Sequence, residues 1–307
     1  MAVQVLGSSC SRNRDQERPR VYFDTNALNV FCDEFKTKSK RLFKNYEILL
    51  SWPLLDEILS TPSHIRTADL ADFIWRVSNR KILVPVDRLV LLEVESLLQE
   101  VQVPISKYFS SDESHMTALR EARNASVPSV KRDFIKLTVE RTKKQVRQWE
   151  RHERQVWLSE FGPEKSLPND WNMFYPLLLQ ERYLNQALYA MIKAFGIANK
   201  FAREVIMNLD CRKLRCTSIG IDFWVALQFL TNSQSRKLGK PDRGDFLDIQ
   251  HAFYVGICDY FVTNDPRVYY ILHHMVVPKR CHVMKVESFY HEMTSSLNKP
   301  CADEIFL

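Results

Sequence analysis

Val21-Tyr22-Phe23-Asp24-Thr25-Asn26 is the stretch on which the fold turns: three large β-forming residues, then a carboxylate, then two short polar residues. Such residues favour a strand, and a strand closing on Asp24 delivers that acid to its carboxyl end. Far downstream, Asp259-Tyr260-Phe261-Val262-Thr263-Asn264-Asp265 repeats the pattern, with Asp265 just beyond the apolar run. Ser51 ends another apolar run, with Glu57 less than two helical turns on, and Asp245 and Asp248 open a helical stretch. In an α/β sheet, acids at strand ends and neighbouring helix starts converge on one crevice. That crevice suits a hard divalent cation, which takes oxygen ligands.

The periodicity supports such a sheet. Strands are expected over residues 21–24, 46–51, 81–86, 260–263 and, at an edge, 283–286. Helices are expected around Glu57, over 67–78, from an N-cap at Asp87 to about 101, over 245–257 and 267–274, and from 287 to 296. Strand–helix alternation predicts an α/β fold with a mostly parallel sheet covered by helices on both faces. Between residues 112 and 232 the pattern is helical with almost no strand signal.

The acid strings taken together resemble the PIN-domain family of nucleases. The features that carry the resemblance are Asp24-Thr25-Asn26 after a strand, Ser51 followed by Glu57, a helix headed by Asp248 (or Asp245), and Val262-Thr263-Asn264-Asp265. The spacing from Asp248 through His251, Cys258 and Asp259 to Asp265 is similar to a PIN subgroup with Asp-x-x-His and Cys-Asp-x-Phe-x-Thr-x-Asp. The resemblance implies a discontinuous PIN-like nuclease domain over residues 18–104 and 238–307; the alternating charge before it reads as a flexible arm over 1–17, and the helical periodicity between its halves as a large all-helical insertion over 105–237. The resemblance also implies a metal-dependent endoribonuclease acting on single-stranded or structured RNA, with DNA as the other candidate. Asp24, Glu57, Asp248 and Asp265 are then the catalytic and metal-binding acids for Mg²⁺ or Mn²⁺, with Asp245 as an alternative third ligand. Asn26, Thr263 and His251 are the candidates for supporting these ligands.

Each string also has a plainer reading. Asp-Thr-Asn is common in turns, Glu57 fits a solvated helix face, and Asp265-Pro266 fits an N-cap followed by proline at the first helical position. His251 fits a satisfied, partly buried histidine as well as a proton carrier or phosphate contact. Asp259, at the far end of its strand from Asp265, fits a turn. The four strings in order are harder to explain as caps. A catalytically silent PIN-like scaffold and a phosphatase remain as alternatives, although the phosphatase lacks an Asp-x-Asp nucleophile motif.

Composition narrows the field. The chain has 307 residues, a net charge of +6, 45% hydrophobic and 26% charged residues, and only 7 glycines. It carries no phosphate-binding or dinucleotide glycine loop, and no apolar run approaches the ~20 residues of a membrane span. The seven cysteines are odd in number and form no Cys-x-x-Cys pair, which fits reduced thiols in a cytoplasmic protein. Cys211 and Cys216 have poor spacing for zinc. The first twenty residues lack the pattern of a signal peptide.

Residues 130–158 read as one charged helix with nine bases, including Lys143, Lys144 and Arg147, against four acids. Ion pairing along the helix accounts for part of this. The surplus fits a surface that binds nucleic-acid backbone. A protein partner or homo-oligomer is left open.

Overall fold

Strand β1 (Arg20–Phe23) lies inside a four-stranded, wholly parallel sheet of order β2-β1-β3-β4, with β2 at Glu47–Leu49, β3 at Tyr260–Val262 and β4 at His282–Met284. This computed structural model describes residues 18–35, 39–124, 144, 170–178, 182–235 and 243–297. The pleat sends alternate side chains to opposite faces. Tyr22, Leu49 and Phe261 lie in register and enter one core, while Val21, Phe23, Ile48 and Val262 enter the other. Both faces are therefore buried, as the near-continuous apolar strands require.

The second core is closed by α1 (Thr25–Phe35), α2 (Ser39–Leu42), α3 (Trp52–Ser60), α4 (His64–Val77) and the last helix, whose residues Phe31, Leu55, Ile74 and Phe289 are fully buried. Ser51 and Ser63 cap α3 and α4 with their hydroxyls.

The first core is closed by α5 (Val86–Leu98) and by helices from the expected insertion. Of these, α6 (Ser114–Ala122) packs on α3 and α4 instead. Then follow α7 (Trp171–Leu178), α8 (Arg182–Ala194), α9 (Arg203–Met207) and α10 (Thr217–Ser235). Phe174, Leu188, Met191 and Trp224 from these helices share the core of Tyr22 and Leu49. The described helices between residues 171 and 235 therefore share a core with one face of the sheet. Gly196, at φ +74°, breaks the chain just after α8, where the left-handed conformation favours glycine.

After α11 (Arg243–Phe253) a 3₁₀ turn, Tyr254–Gly256, leads into β3. Then come α12 (Pro266–Tyr270), which a π-turn, Ile271–Val276, prolongs, and α13 (Val286–Leu297). Helix α11 packs on α10 at Gly220, where an added Cβ would sit 2.4 Å from the Phe253 ring.

Two local expectations change. Residues 81–86 contribute only bridges, Leu50 with Ile82 and Leu83 with Phe109; Pro85 has no N–H to extend the ladder and instead precedes α5 as its N-cap. Asp87 is consequently a first-turn acid of α5, not its cap. The arm over residues 1–17 and the charged helix over 130–158, with Lys143 and Arg147, lie outside the described residues; Lys144 is helical and exposed.

From α5, Glu93 (3% exposed) reaches the start of α10. It accepts from the Tyr108 hydroxyl at 2.8 Å, the Cys216 N–H at 2.9 Å and the Thr217 N–H at 2.9 Å. Among the described residues, no helix is long and apolar enough to cross a membrane. Cys32, Cys211, Cys216, Cys258 and Cys281 are free thiols.

Candidate metal centre

Asp24 follows β1 directly, and its own N–H continues the pairing to Val262 at 3.2 Å. Its side chain is 6% exposed. One carboxylate oxygen accepts from the Ala27 N–H at 2.7 Å, and the other accepts from the Thr263 hydroxyl. Burial drives its pKa up to about 6; the two hydrogen bonds and the charge of His251 pull it down, and the charge of Glu57 pushes it further up. Thr263 is itself fully buried, and its oxygen accepts from the Asp265 N–H at 3.0 Å. One threonine thus ties the strand-end acids of β1 and β3 together.

Glu57 faces the same region from α3. Its Oε2 accepts from the Thr25 hydroxyl and bonds His251 Nε2 at 2.9 Å. His251, from α11 and 2% exposed, bonds the Tyr22 hydroxyl through Nδ1 at 2.6 Å. The Tyr22 hydroxyl in turn meets Ser51 Oγ at 2.5 Å, and Ser51 Oγ accepts from the Leu54 N–H at 3.3 Å. One proton arrangement satisfies every group: Nε2–H donates to Glu57, Tyr22 donates to Nδ1, and Ser51 donates to Tyr22. Burial lowers the His251 pKa, but the Glu57 bond and the charges of Glu57, Asp24 and Asp248 outweigh it, so the net shift is upward.

The remaining acids gather at Arg267. Its guanidinium spans Asp245 Oδ1 at 2.7 Å and Asp248 Oδ2 at 2.9 Å, two residues three apart on one face of α11. Burial is the main reason the Asp248 pKa rises to about 7; His251 and Arg267 oppose it, and Asp265 adds to it. Asp265 caps α12, accepting from the N–H groups of Arg267 at 2.8 Å and Val268 at 2.9 Å.

The bonds therefore form three adjoining groups: Asp24 and the Asp265 N–H on Thr263, Glu57 with Thr25, His251, Tyr22 and Ser51, and Asp245 with Asp248 on Arg267. When protonated, His251 links them electrostatically, since its charge then acts on both Asp24 and Asp248. Asn26 is exposed, and its neighbour Thr25 makes the bond to a site carboxylate. Asp259 sits at the other end of the sheet, accepting from the Arg20 N–H at 2.7 Å, in the turn role its position suggests. Sequence reasoning passed over Tyr22, Thr25 and Arg267 as site residues. Thr25 had a signal, being adjacent to Asp24. Tyr22 and Arg267 had none beyond ordinary core and helix positions.

Among the described residues, no three His, Cys, Asp or Glu side chains are gathered closely enough to hold a metal ion as they stand. Asp24, Glu57 and Asp265 are each turned to donors of their own, and Asp245 and Asp248 share Arg267. The donor set itself is all carboxylate oxygen, and two of its members are held above their ordinary pKa. Both properties suit a hard dication, whose charge would favour the ionised forms. No family model, curated protein or solved structure matches the chain.

Proposed function

We propose that the chain is a metal-dependent nuclease of PIN-like fold that hydrolyses phosphodiester bonds as an endoribonuclease on single-stranded or structured RNA. The observation that carries this reading is the junction at Thr263, which brings Asp24 and Asp265 to the same end of two adjacent parallel strands. Glu57 is bonded to the buried His251, whose charge acts on Asp24 as well.

In this reading Asp24, Asp248, Asp265 and Glu57 hold Mg²⁺ or Mn²⁺. When bound, the cation supplies a water of lowered pKa and offsets the charge that builds on the phosphate. The chain's own residues prepare the site. Thr263 fixes the Asp24 carboxylate, His251 fixes Glu57, and the Tyr22–Ser51 pair fixes the imidazole. Arg267 is partly exposed and keeps further N–H donors for a phosphate oxygen.

The test is incubation of the purified chain with end-labelled RNA and DNA pools, with and without Mg²⁺ or Mn²⁺, followed by sequencing of the ends. RNA cleavage that requires the cation and disappears in Asp24→Asn is expected. Cleavage that persists unchanged in both Asp24→Asn and Asp265→Asn overturns the assignment.

One observation favours a second reading. The Arg267 guanidinium already offsets part of the charge of Asp245 and Asp248, which is what a metal-free acid cluster needs. That would make the chain a catalytically silent nucleic-acid-binding or scaffold protein. Calorimetric titration with Mn²⁺ separates the two. Binding by the wild type supports the nuclease, whereas binding only by Arg267→Gln supports the silent form.

A further inference from the structure

A cleft of about 820 Å³ opens at the amino ends of β1 and β2, the opposite end of the sheet from Asp24. Five cationic side chains line it: Arg18, Arg20, Lys44, Arg76 and Lys81. Only one carboxylate, Glu47, lines it with them, and the Asn79 amide bonds that carboxylate at 2.5 Å. Arg20 and Arg76 are partly answered by Asp259 and Asp72, which lie outside the lining. Arg18, Lys44 and Lys81 are exposed and form no ion pair with an acid among the described residues.

Like charges gathered around a concavity repel one another, and an anion seated among them relieves that repulsion. The cleft is not polar throughout. Tyr46, Val77 and Ile105 give it an apolar wall, and Phe109 lies under the Lys81 ammonium at 5.5 Å. Its volume falls in the range of small-molecule sites, which combine apolar walls with a few charged groups. Guanidinium and ammonium groups together match phosphate oxygens, and the wall matches a planar ring.

We propose that this cleft binds a nucleotide, with Arg18, Lys44, Arg76 and Lys81 on its phosphate and the apolar wall against its ring. The nucleotide is either free or one unit of an RNA strand, since both present the same chemistry. The site stands apart from the acid cluster and does not depend on its being a nuclease.

The test uses the full chain in EDTA, titrated with adenosine 5′-monophosphate, a single-stranded RNA hexamer and inorganic phosphate. Saturable binding of the monophosphate, tighter than that of inorganic phosphate, identifies a free-nucleotide site. Binding of the hexamer alone identifies a strand-anchoring site. In either case Lys44→Gln/Lys81→Gln should weaken affinity roughly tenfold or more. For the hexamer it should also flatten the log–log salt dependence by about 0.7 per lost phosphate contact. Both lysines are exposed, so the fold is expected to survive, and far-UV circular dichroism checks this. Asp24→Asn, at the other end of the sheet, should leave monophosphate affinity unchanged. The proposal is overturned if neither nucleotide ligand binds, if the double variant binds like the wild type, or if inorganic phosphate binds as tightly as whichever nucleotide ligand does.

Discussion

Glu93 and Asp24 are both carboxylates withdrawn from water, and the groups around them differ in kind. Glu93 meets a phenol and two backbone N–H groups at a helix start, each within 2.9 Å. Fixed donors there take the place of solvent, and the positive end of α10 favours the charge. Asp24 also has two donors, but it shares its surroundings with Glu57 and is linked through Thr263 to the backbone of Asp265. A buried acid ringed by donors is architecture. A buried acid beside other acids is an unmet demand for positive charge, and such a demand marks a place where chemistry can be done.

The comparison can be broken at either end. The largest expected effect is on turnover: Asp24→Asn should lower RNA cleavage by about a thousandfold while the fold persists, checked by single-turnover kinetics. Glu93→Ala should act the other way, stranding three buried donors and destabilising the fold by roughly 3–5 kcal/mol in urea unfolding. Its cleavage per folded molecule should stay within about threefold of the wild type, because the two sites share no partner. A large loss of turnover in this variant would erase the distinction.

A pH series sharpens the same contrast. The Asp24 pKa rises from 3.8 to about 6, so the folded chain holds this proton more tightly than the unfolded chain does. Its contribution is therefore fully present below pH 3.8 and is lost as pH climbs to about 6, on the order of 3 kcal/mol in all. Asp248 extends the window to about 7. Melting curves of wild type and Asp24→Asn without metal should diverge across this range, with the variant the more stable at pH 7. Adding Mg²⁺ or Mn²⁺ should raise the wild type above it. Parallel curves would show that Asp24 carries no such burden.

The smallest effect is expected at Tyr22→Phe, which removes the hydroxyl shared by His251 and Ser51. A loss of about 1–2 kcal/mol in stability is expected, with a roughly ten- to hundredfold loss of cleavage because Glu57 is no longer held through a fixed imidazole.

Much of the frame was legible in the chain. Short-range chemistry announced Asp24 at the end of β1, Ser51 at the end of an apolar run before the helix of Glu57, and Asp265 with Pro266 at the start of α12. What escaped was set by contacts distant in sequence. Arg267 pairs with acids 19 and 22 positions earlier, and no local pattern distinguishes it from any helix arginine. Tyr22 reads as one more apolar strand residue, yet the pleat that buries its ring also aims its hydroxyl at His251. The strand expected over residues 81–86 failed because a single missing N–H at Pro85 weighs more than the propensity of its neighbours. The helices of residues 171–235 read only as part of an insertion because their apolar faces do not say what they cover. They cover the sheet.

The contact at Gly220 gives the molecule a second way to fail. Phe253 lies flat against a glycine that has no side chain to hold it off, and the same helix, α11, carries Asp245, Asp248 and His251. A methyl group at position 220 would push that helix away from α10 and carry three site residues with it. Among natural variants of this chain, position 220 would look harmless to any view that weighs only distance from the acids. Alanine at this position should still disturb the acid cluster, because the spacing of Asp245, Asp248 and His251 is set by a helix contact behind them.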